Sequence, residues 1–375
     1  MTYKTLKVGL IGPGSISRLH LDGIRRNPEA ELIAIAASNN DKALQTGKDW
    51  GVPYTYGDYR NLLENNQIEA VHIATRNQTH AEIAANAIKA GKHVICEKPL
   101  GSNSKETAAL LKEASTSNFV HALCYNLRFY PLVQHLRTLV MQGELGRIHT
   151  VHGSYLQDWL CLDTVYNWRL DPKESGELST VADIGTHWLD MVQFITGLKV
   201  TSVISYLNTV IPTRRKVEKS DYETSVIISN EDSAGMLLAF DTGVMGSLLV
   251  SQVAHGHKNI LSIEINGTNA SAAWNSERPN ELWLGYREKP NQVMISEASL
   301  LSSEAKAVSG PGHTKGILDT WHQFLKTVYS EIRSNRKFDP TKVTFASFYD
   351  GHRDVAILEA LLASNKSKTW QLVEA

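Results

Sequence analysis

The first third of the chain alternates two patterns, and this alternation restricts the fold more than any other feature. Short apolar runs alternate from residue 6 to residue 125 with longer segments whose apolar residues recur at helical spacing. The apolar runs read LKVGLIG, AELIAIAAS, EAVHIATRN, KHVICEKP and FVHALCYN. Continuous apolar strands separated by amphipathic helices are typical of a parallel sheet covered on both faces. The sequence therefore predicts an α/β domain over residues 1–126.

The pattern changes after about residue 145, where long β-rich segments follow one another. Turns such as Asp241-Thr242-Gly243 and Asn266-Gly267 separate them, as in antiparallel sheets. One helical segment, GTHWLDMVQFITG, interrupts the strands, and another, SFYDGHRDVAILEALLAS, closes the chain. We predict a second, α+β domain over residues 127–375, with a mostly antiparallel sheet and a final helix able to pack back on the first domain.

The composition excludes several classes of protein. A formal net charge of -1 provides no field that would attract nucleic acid or an anionic membrane. Cys96, Cys124 and Cys161 are odd in number and widely spaced, unlike a disulfide framework or a zinc site. No segment approaches the roughly 20 apolar residues of a membrane helix, and no signal-peptide pattern precedes the first strand. We expect a cytoplasmic protein without a metal site.

The turn after the first strand, in VGLIGPGSIS, is rich in glycine. Gly12 suits a tight turn, and Gly14 lets the backbone approach a pyrophosphate closely. The amides of Ser15 and Ile16, where the next helix starts, would face the negative charge. A turn that serves only the fold is the alternative for this motif alone. Its position between a strand and a helix favours a dinucleotide site.

The end of the second strand bears on the choice between NAD and NADP. NAD-binding domains usually have an acidic residue about 20 positions beyond the glycines, where it binds the ribose 2′-hydroxyl. Ala37, Ser38 and Asn39 occupy this place, and all three are neutral. Both cofactors therefore stay open, with Ser38 and Asn39 as the predicted ribose contacts.

The stretch HVICEKPLG places Glu97, Lys98 and Pro99 directly after an apolar strand. The carboxyl ends of parallel strands border the ligand crevice of an open α/β sheet, so charged residues at this end are candidates for chemistry. A surface ion pair beside a loop proline is the alternative.

The stretch ADIGTHWLD holds Asp183 and His187 four residues apart, and a helical turn would place them on one face. A histidine with a pKa near ~6.5 suits the exchange of a hydroxyl proton. The alternative is a carboxylate at a helix start and a histidine packed beside Trp188.

Taken together, the glycine turn, VHIATRNQTHAEIAANAIKAGKHVICEKPLG and ADIGTHWLD resemble the glucose-fructose oxidoreductase and inositol dehydrogenase family (Gfo/Idh/MocA). The resemblance spans nearly the whole chain. It implies an N-terminal Rossmann domain, a C-terminal domain on a large open sheet, and a homodimer or homotetramer. It further implies hydride transfer between NAD or NADP and a hydroxyl-bearing carbon of a sugar or cyclitol.

The resemblance also assigns roles to residues. Lys98, next to a cis proline bond, would stabilise negative charge on the substrate oxygen, Asp183 would bind the hydroxyl, and His187 would exchange its proton. The implied cofactor contacts are Thr75, Asn77, His80, Glu97, Lys98, Asn126, Trp168 and Arg169. His80 as a helix-start residue, and Trp168 with Arg169 as an ordinary core pair, are the alternatives.

Three matters stay open at this point. The aromatic segment with Tyr155, Gln157, Asp158 and Trp159 suits either a sugar pocket or the packing of a long strand. Transient oxidation by NAD, followed by elimination, would cleave a glycoside rather than accumulate a ketone. A non-catalytic regulator that binds a dinucleotide is a third possibility, although such a protein has no need for Lys98, Asp183 and His187 together.

Overall fold

A computed structural model of the chain divides into two compact units. The residues that the structure describes are 5–217, 223–297, 299–303, 305 and 315–374. The first unit comprises Met1–Phe129 and Ile317–Val355, and the second comprises Tyr130–Gly316 and Ala356–Ala375. Within the described part of the chain, no helix is long and apolar enough to cross a membrane.

The first unit contains a six-stranded parallel sheet. Its strands are β1 (Leu6–Ile11), β2 (Ala30–Ala36), β3 (Tyr54–Tyr56), β4 (Ala70–Ile73), β5 (His93–Cys96) and β6 (His121–Leu123). They lie in the order β3-β2-β1-β4-β5-β6, and every neighbouring pair is parallel. This is the order of dinucleotide-binding domains, in which ligands bind where the order reverses, beside β1 and β4. The prediction of a Rossmann domain is confirmed, while the three-residue edge strand β3 was not predicted.

Helices cover both faces of this sheet. They are α1 (Ser17–Arg26), α2 (Asn40–Trp50), α3 (Tyr59–Leu63), α4 (His80–Lys89) and α5 (Ser104–Ser115) from the first segment, with α9 (Ile317–Arg333) and the start of α10 (Phe348–Ser367) from the second. The sequence analysis did not identify α9. Its buried residues Trp321, Phe324, Leu325 and Val328 recur at helical spacing and pack in one cluster with residues of β1, β4 and β5.

The second unit contains a nine-stranded sheet. Its strands are β7 (Ile148–Leu156), β8 (Val200–Asn208), β11 (Ser233–Phe240), β12 (Met245–Ser251), β13 (Ile260–Gly267), β14 (Ser271–Asn275), β15 (Glu281–Gly285), β16 (Gln292–Ile295) and β17 (Gln371–Leu372). The order is β16-β15-β14-β13-β7-β12-β11-β8-β17, and only β7 and β12 are parallel neighbours. The large, mostly antiparallel sheet is therefore confirmed. Two further strands, β9 (Thr213–Val217) and β10 (Glu223–Ile227), pair with each other apart from it.

The second unit also contains helices, one of which begins in the ADIGTHWLD motif. They are α6 (Pro131–Met141), α7 (Pro172–Ser175), α8 (Thr186–Thr196) and the remainder of α10. A π-helical turn, Val181–Gly185, leads directly into α8. Trp188 on α8 is fully buried, and its indole donates a hydrogen bond to the Ser262 carbonyl oxygen of β13 (2.8 Å). This contact attaches α8 to the sheet one residue after His187.

Candidate active site

The glycine turn after β1 requires glycine at one position and leaves the backbone open at another. Gly12 has a φ of +91°, and a Cβ at this position would lie 2.8 Å from the Ala74 carbonyl oxygen, so only glycine fits. At Gly14 an added Cβ would meet nothing within 4 Å, so a ligand can approach the backbone closely. Contacts of a pyrophosphate with Gly12, Gly14, Ser15 and Ile16 fit this geometry, and they stay a prediction.

The predicted ribose contacts lie between β2 and α2. Ser38 and Asn39 are both exposed. The side-chain oxygen of Asn39 accepts a hydrogen bond from the backbone amide of Lys42 (2.9 Å) and caps α2. Ribose contacts would therefore come from the Ser38 hydroxyl and the Asn39 NH₂ group.

Glu97, Lys98 and Pro99 form a turn at the carboxyl end of β5. The Lys98–Pro99 peptide bond is cis, as the resemblance implied. Glu97 is buried, and its Oε2 accepts a hydrogen bond from the Lys98 amide (3.2 Å). His80 is also buried, which lowers its pKa, and its Nδ1 and Nε2 lie 2.7 Å and 3.3 Å from the carbonyl oxygens of Pro99 and Thr75. His80 therefore supports the turn that bears Lys98, whatever its contact with a cofactor.

A chain of hydrogen bonds extends from Glu97 into the interior of the first unit. His20 Nε2 donates to Glu97 Oε1 (3.1 Å), the Nδ1 atoms of His20 and His72 lie 2.9 Å apart, and His72 Nε2 lies 2.8 Å from the Tyr329 hydroxyl. Burial holds the pKa of His72 well below its usual value. Burial opposes ionisation of Glu97, but the hydrogen bond from His20 and the charges of His20 and Lys98 outweigh it and lower its pKa.

The same region brings together three possible metal ligands, from His20, Glu97 and Cys124, with their ligand atoms within 4.8 Å of one another. The sequence analysis had expected no metal site. The hydrogen bond between His20 and Glu97 accounts for the proximity of two of these groups. Burial raises the pKa of the Cys124 thiol well above its usual value, whereas a metal binds the thiolate. We therefore assign this cluster to the hydrogen-bonded chain.

Two other predicted cofactor residues of the first unit, Thr75 and Asn126, have hydrogen-bond partners within it. Thr75 and Asn77 lie between β4 and α4, where the Thr79 hydroxyl donates to Thr75 Oγ1 (2.8 Å). Asn126 is buried and donates to Thr320 Oγ1 on α9 (2.7 Å). Their contacts with a cofactor stay predictions.

In the second unit, Asp183 lies in the π-helical turn and His187 in the first turn of α8. Arg169 Nε donates to Asp183 Oδ1 (3.1 Å), and Gln252 Nε2 donates to Asp183 Oδ2 (2.9 Å). Both oxygens thus accept hydrogen bonds, which is the pattern of an ionised carboxylate. The Arg169 guanidinium also lies 4.6 Å from the ring centre of Trp168. Trp168 and Arg169, predicted as cofactor contacts, are thereby connected to Asp183.

The aromatic segment after β7 takes part in the same arrangement. Gln157 links Trp159, Gln252 and Asn259 through hydrogen bonds, and Asn259 also accepts one from the Tyr155 hydroxyl (2.9 Å). The Tyr155 ring lies 6.3 Å from the ring of His187 in an edge-on arrangement. Asp158 differs from its neighbours, because it pairs with Lys258.

The turn that bears Asp183 is held at its start by Glu231, a residue that sequence reasoning missed. The Glu231 carboxylate accepts hydrogen bonds from the backbone amides of Ser179 (3.0 Å) and Val181 (2.8 Å). Burial raises the pKa of Glu231 to about 7, although the backbone hydrogen bonds act in the opposite direction. Glu231 and Gln252 lie about 50 and 70 positions beyond their partners, where no local motif points to them.

The strand order and the glycine turn are those of a dinucleotide-binding domain. A family profile described as "Oxidoreductase family, NAD-binding Rossmann fold" matches residues 6–123, and the "GFO/IDH/MocA C-terminal domain" matches residues 133–273. The chain belongs to the Gfo/Idh/MocA family, as the sequence motifs had indicated. It is an enzyme with an NAD-binding Rossmann domain, so the regulator hypothesis is set aside.

Named relatives agree with this assignment. Levoglucosan dehydrogenase from Pseudarthrobacter phenanthrenivorans is 29% identical over 392 aligned positions, covering 98% of each chain. A solved structure of levoglucosan dehydrogenase with NADH and levoglucosan is 27% identical, with a TM-score of 0.89 over 99% of this chain and 100% of that one. An inositol dehydrogenase homologue from Azotobacter vinelandii, complexed with NAD+, is 25% identical, with a TM-score of 0.88 over 98% and 97%.

Proposed function

We propose that the enzyme catalyses the reversible NAD-dependent oxidation of a secondary alcohol on a sugar or cyclitol. The observation that supports this most directly is the Asp183 carboxylate, which accepts hydrogen bonds at both oxygens and is followed four residues later by His187. Relatives named as dehydrogenases of levoglucosan and inositol support the substrate class.

In this proposal Lys98, Asp183 and His187 act on the same hydroxyl group. His187 takes the hydroxyl proton during oxidation and returns it during reduction. The Lys98 ammonium stabilises the negative charge that develops on the oxygen, and Asp183 accepts a hydrogen bond that orients the substrate. Bound nicotinamide supplies the site for the hydride that leaves the same carbon. Arg169 and Gln252 hold Asp183 in place for this task.

A substrate panel tests the proposal. We expect NADH to accumulate, in proportion to ketone formed, when the enzyme meets NAD with levoglucosan, inositol, free hexoses and their glycosides. Running the panel with NADP as well determines which cofactor the neutral Ser38 and Asn39 accept. Absence of reduced nicotinamide with every polyol would contradict the proposal. Cleavage of a glycoside without net NADH would instead favour oxidation followed by elimination, which no observation favours at present.

A further inference from the structure

We propose that Gln252 is a positioning residue of the active site: its amide, oriented by a hydrogen-bonded chain that starts at the Trp159 indole, holds the Asp183 carboxylate in place. The inference rests on the proposed function, in which Asp183 binds the reacting hydroxyl. It concerns side chains of the second unit alone. None of the sequence motifs includes Gln252.

The chain starts at a group that can only donate. The Trp159 indole N–H lies 2.8 Å from Gln157 Oε1, so this atom of Gln157 must be the carbonyl oxygen and not the nitrogen. The other end of the Gln157 amide is then the NH₂ group, which donates to Asn259 Oδ1 (2.7 Å). The indole therefore determines which way the Gln157 amide is oriented.

The orientation of Gln157 in turn determines that of Gln252. Because Gln157 Oε1 is an acceptor, the Gln252 atom 3.1 Å away must be its nitrogen. The second N–H of the same nitrogen donates to Asp183 Oδ2 (2.9 Å), and Gln252 Oε1 accepts the Thr180 hydroxyl (3.0 Å). Both N–H groups and the oxygen of Gln252 are thus used, and the side chain is 0% exposed.

The two ends of the hydrogen-bonded chain are therefore groups that can each play a single role, one as donor and one as acceptor. Trp159 can only donate, and an ionised Asp183 can only accept, so a single orientation of both amides satisfies every partner. Rotating the Gln252 amide would place its oxygen against Asp183 Oδ2 and its nitrogen against the Thr180 hydroxyl. With Arg169 on Oδ1, this leaves the Asp183 carboxylate one position in which both oxygens are bonded.

Glutamate at position 252 would keep the size of this side chain and change its hydrogen-bonding groups. It has the shape of glutamine, but when ionised it only accepts hydrogen bonds and would face the acceptor oxygens of Asp183 and Gln157. Leucine at the same position would leave Asp183 Oδ2 and the Thr180 hydroxyl without this partner but add no charge. Trp159→Phe removes the indole N–H that orients the chain and keeps a smaller aromatic ring at this position.

The experiment compares these variants in the full-length enzyme with NAD and levoglucosan or inositol as probes. We expect Gln252→Glu to lower kcat about 10²-fold, since a misplaced binding group has that effect on rate. Gln252→Leu should lose less, and Trp159→Phe roughly 10-fold, while the Kd for NADH is unchanged in all three. Gln193→Glu is the matched control, because Gln193 is a half-buried glutamine on α8 that bonds to backbone atoms (Leu189 O, Val200 N). It should keep wild-type kcat.

A second measurement is independent of turnover. The indole ¹H–¹⁵N resonance of Trp159, assigned by its loss in Trp159→Phe, should shift in Gln252→Glu and stay in place in Gln193→Glu. An unmoved resonance in folded Gln252→Glu, or a kcat equal to that of the control, would overturn the inference. A wild-type enzyme that oxidises no polyol would overturn the proposed function instead, and the resonance would still test the chain.

Discussion

The two units support their charged site residues with different kinds of side chain. In the first unit, Glu97 is bonded to the buried imidazole of His20, which is in turn bonded to that of His72. In the second, Asp183 is bonded to the amide of Gln252, which is also buried. An imidazole can exchange the roles of its two nitrogens by moving a proton, whereas an amide has one donor end and one acceptor end. The first arrangement can adapt to an added proton, and the second cannot.

Two proton arrangements satisfy the chain of the first unit. When His20 is neutral, Tyr329 donates to His72 Nε2, His72 Nδ1 donates to His20 Nδ1, and His20 Nε2 donates to Glu97. When His20 is protonated, it donates from both nitrogens, and the neutral His72 donates from Nε2 to Tyr329 instead. Every ring nitrogen keeps a partner in both cases. We infer that changes in this chain affect stability more than catalysis, while changes in the second affect catalysis.

The largest effects on kcat should come from the residues proposed to act on the substrate, Lys98 in the first unit and His187 in the second. Lys98→Met and His187→Asn should each lower kcat about 10³-fold, because one removes charge stabilisation and the other removes proton exchange. Steady-state rates with NAD and the oxidised polyol measure the loss, and NADH fluorescence should show retained cofactor binding in His187→Asn. His255→Asn, an exposed histidine of the same unit, is the control. Equal rates for His187→Asn and this control would contradict the proposal that His187 is the base.

The next prediction compares the two units through the pH dependence of the free energy of unfolding. Burial lowers the pKa of His121, in the first unit, to about 4 from 6.5, so the unfolded chain binds its proton more tightly. Stability is therefore lost as pH falls from 6.5 to about 4, by about 3 kcal/mol in total. His121→Asn keeps an acceptor for the Phe348 amide and should flatten this part of the pH profile of urea unfolding. An unchanged slope would contradict the assignment.

Glu231 in the second unit should act in the opposite direction. Burial raises its pKa to about 7 from 4.5, so the folded state binds the proton more tightly. Stability is therefore lost as pH rises from 4.5 to about 7, again by about 3 kcal/mol. Glu231→Gln keeps an acceptor oxygen for the Ser179 and Val181 amides and should remove this decline. If both variants changed the slope with the same sign, the contrast between the units would fail.

The smallest expected effect is at Tyr329, which ends the hydrogen-bonded chain of the first unit on the side away from Glu97. Tyr329→Phe removes the hydroxyl that pairs with His72, and should lower the free energy of unfolding by about 1–2 kcal/mol. We expect kcat to stay at the wild-type value, because the imidazoles can rearrange their protons. Trp159 lies at the corresponding end of the hydrogen-bonded chain of the second unit, and Trp159→Phe should lower kcat more than it lowers stability. A loss of kcat in Tyr329→Phe comparable to that in Trp159→Phe would show that both chains act alike.

Local patterns were sufficient for much of the fold. The strand–helix alternation predicted five of the six strands of the first sheet, and β-rich segments predicted the second sheet. Helix α9 was not predicted, although its buried residues recur at helical spacing. The parallel pairing of β7 with β12 had no local signal, since strands that pair at long range carry no mark of their neighbour.

The sequence alone determined the glycine turn, the strand end that bears Lys98, and the spacing of Asp183 and His187. Each of these features depends only on residues that are close together in the sequence. Tertiary structure alone decided how these groups are supported. Gln252 meets Asp183 from 69 positions away, and Tyr329 meets His72 from 257 positions away. Hydrogen bonds between such distant residues depend on which strands and helices pack together, and that packing leaves no periodic trace in the chain.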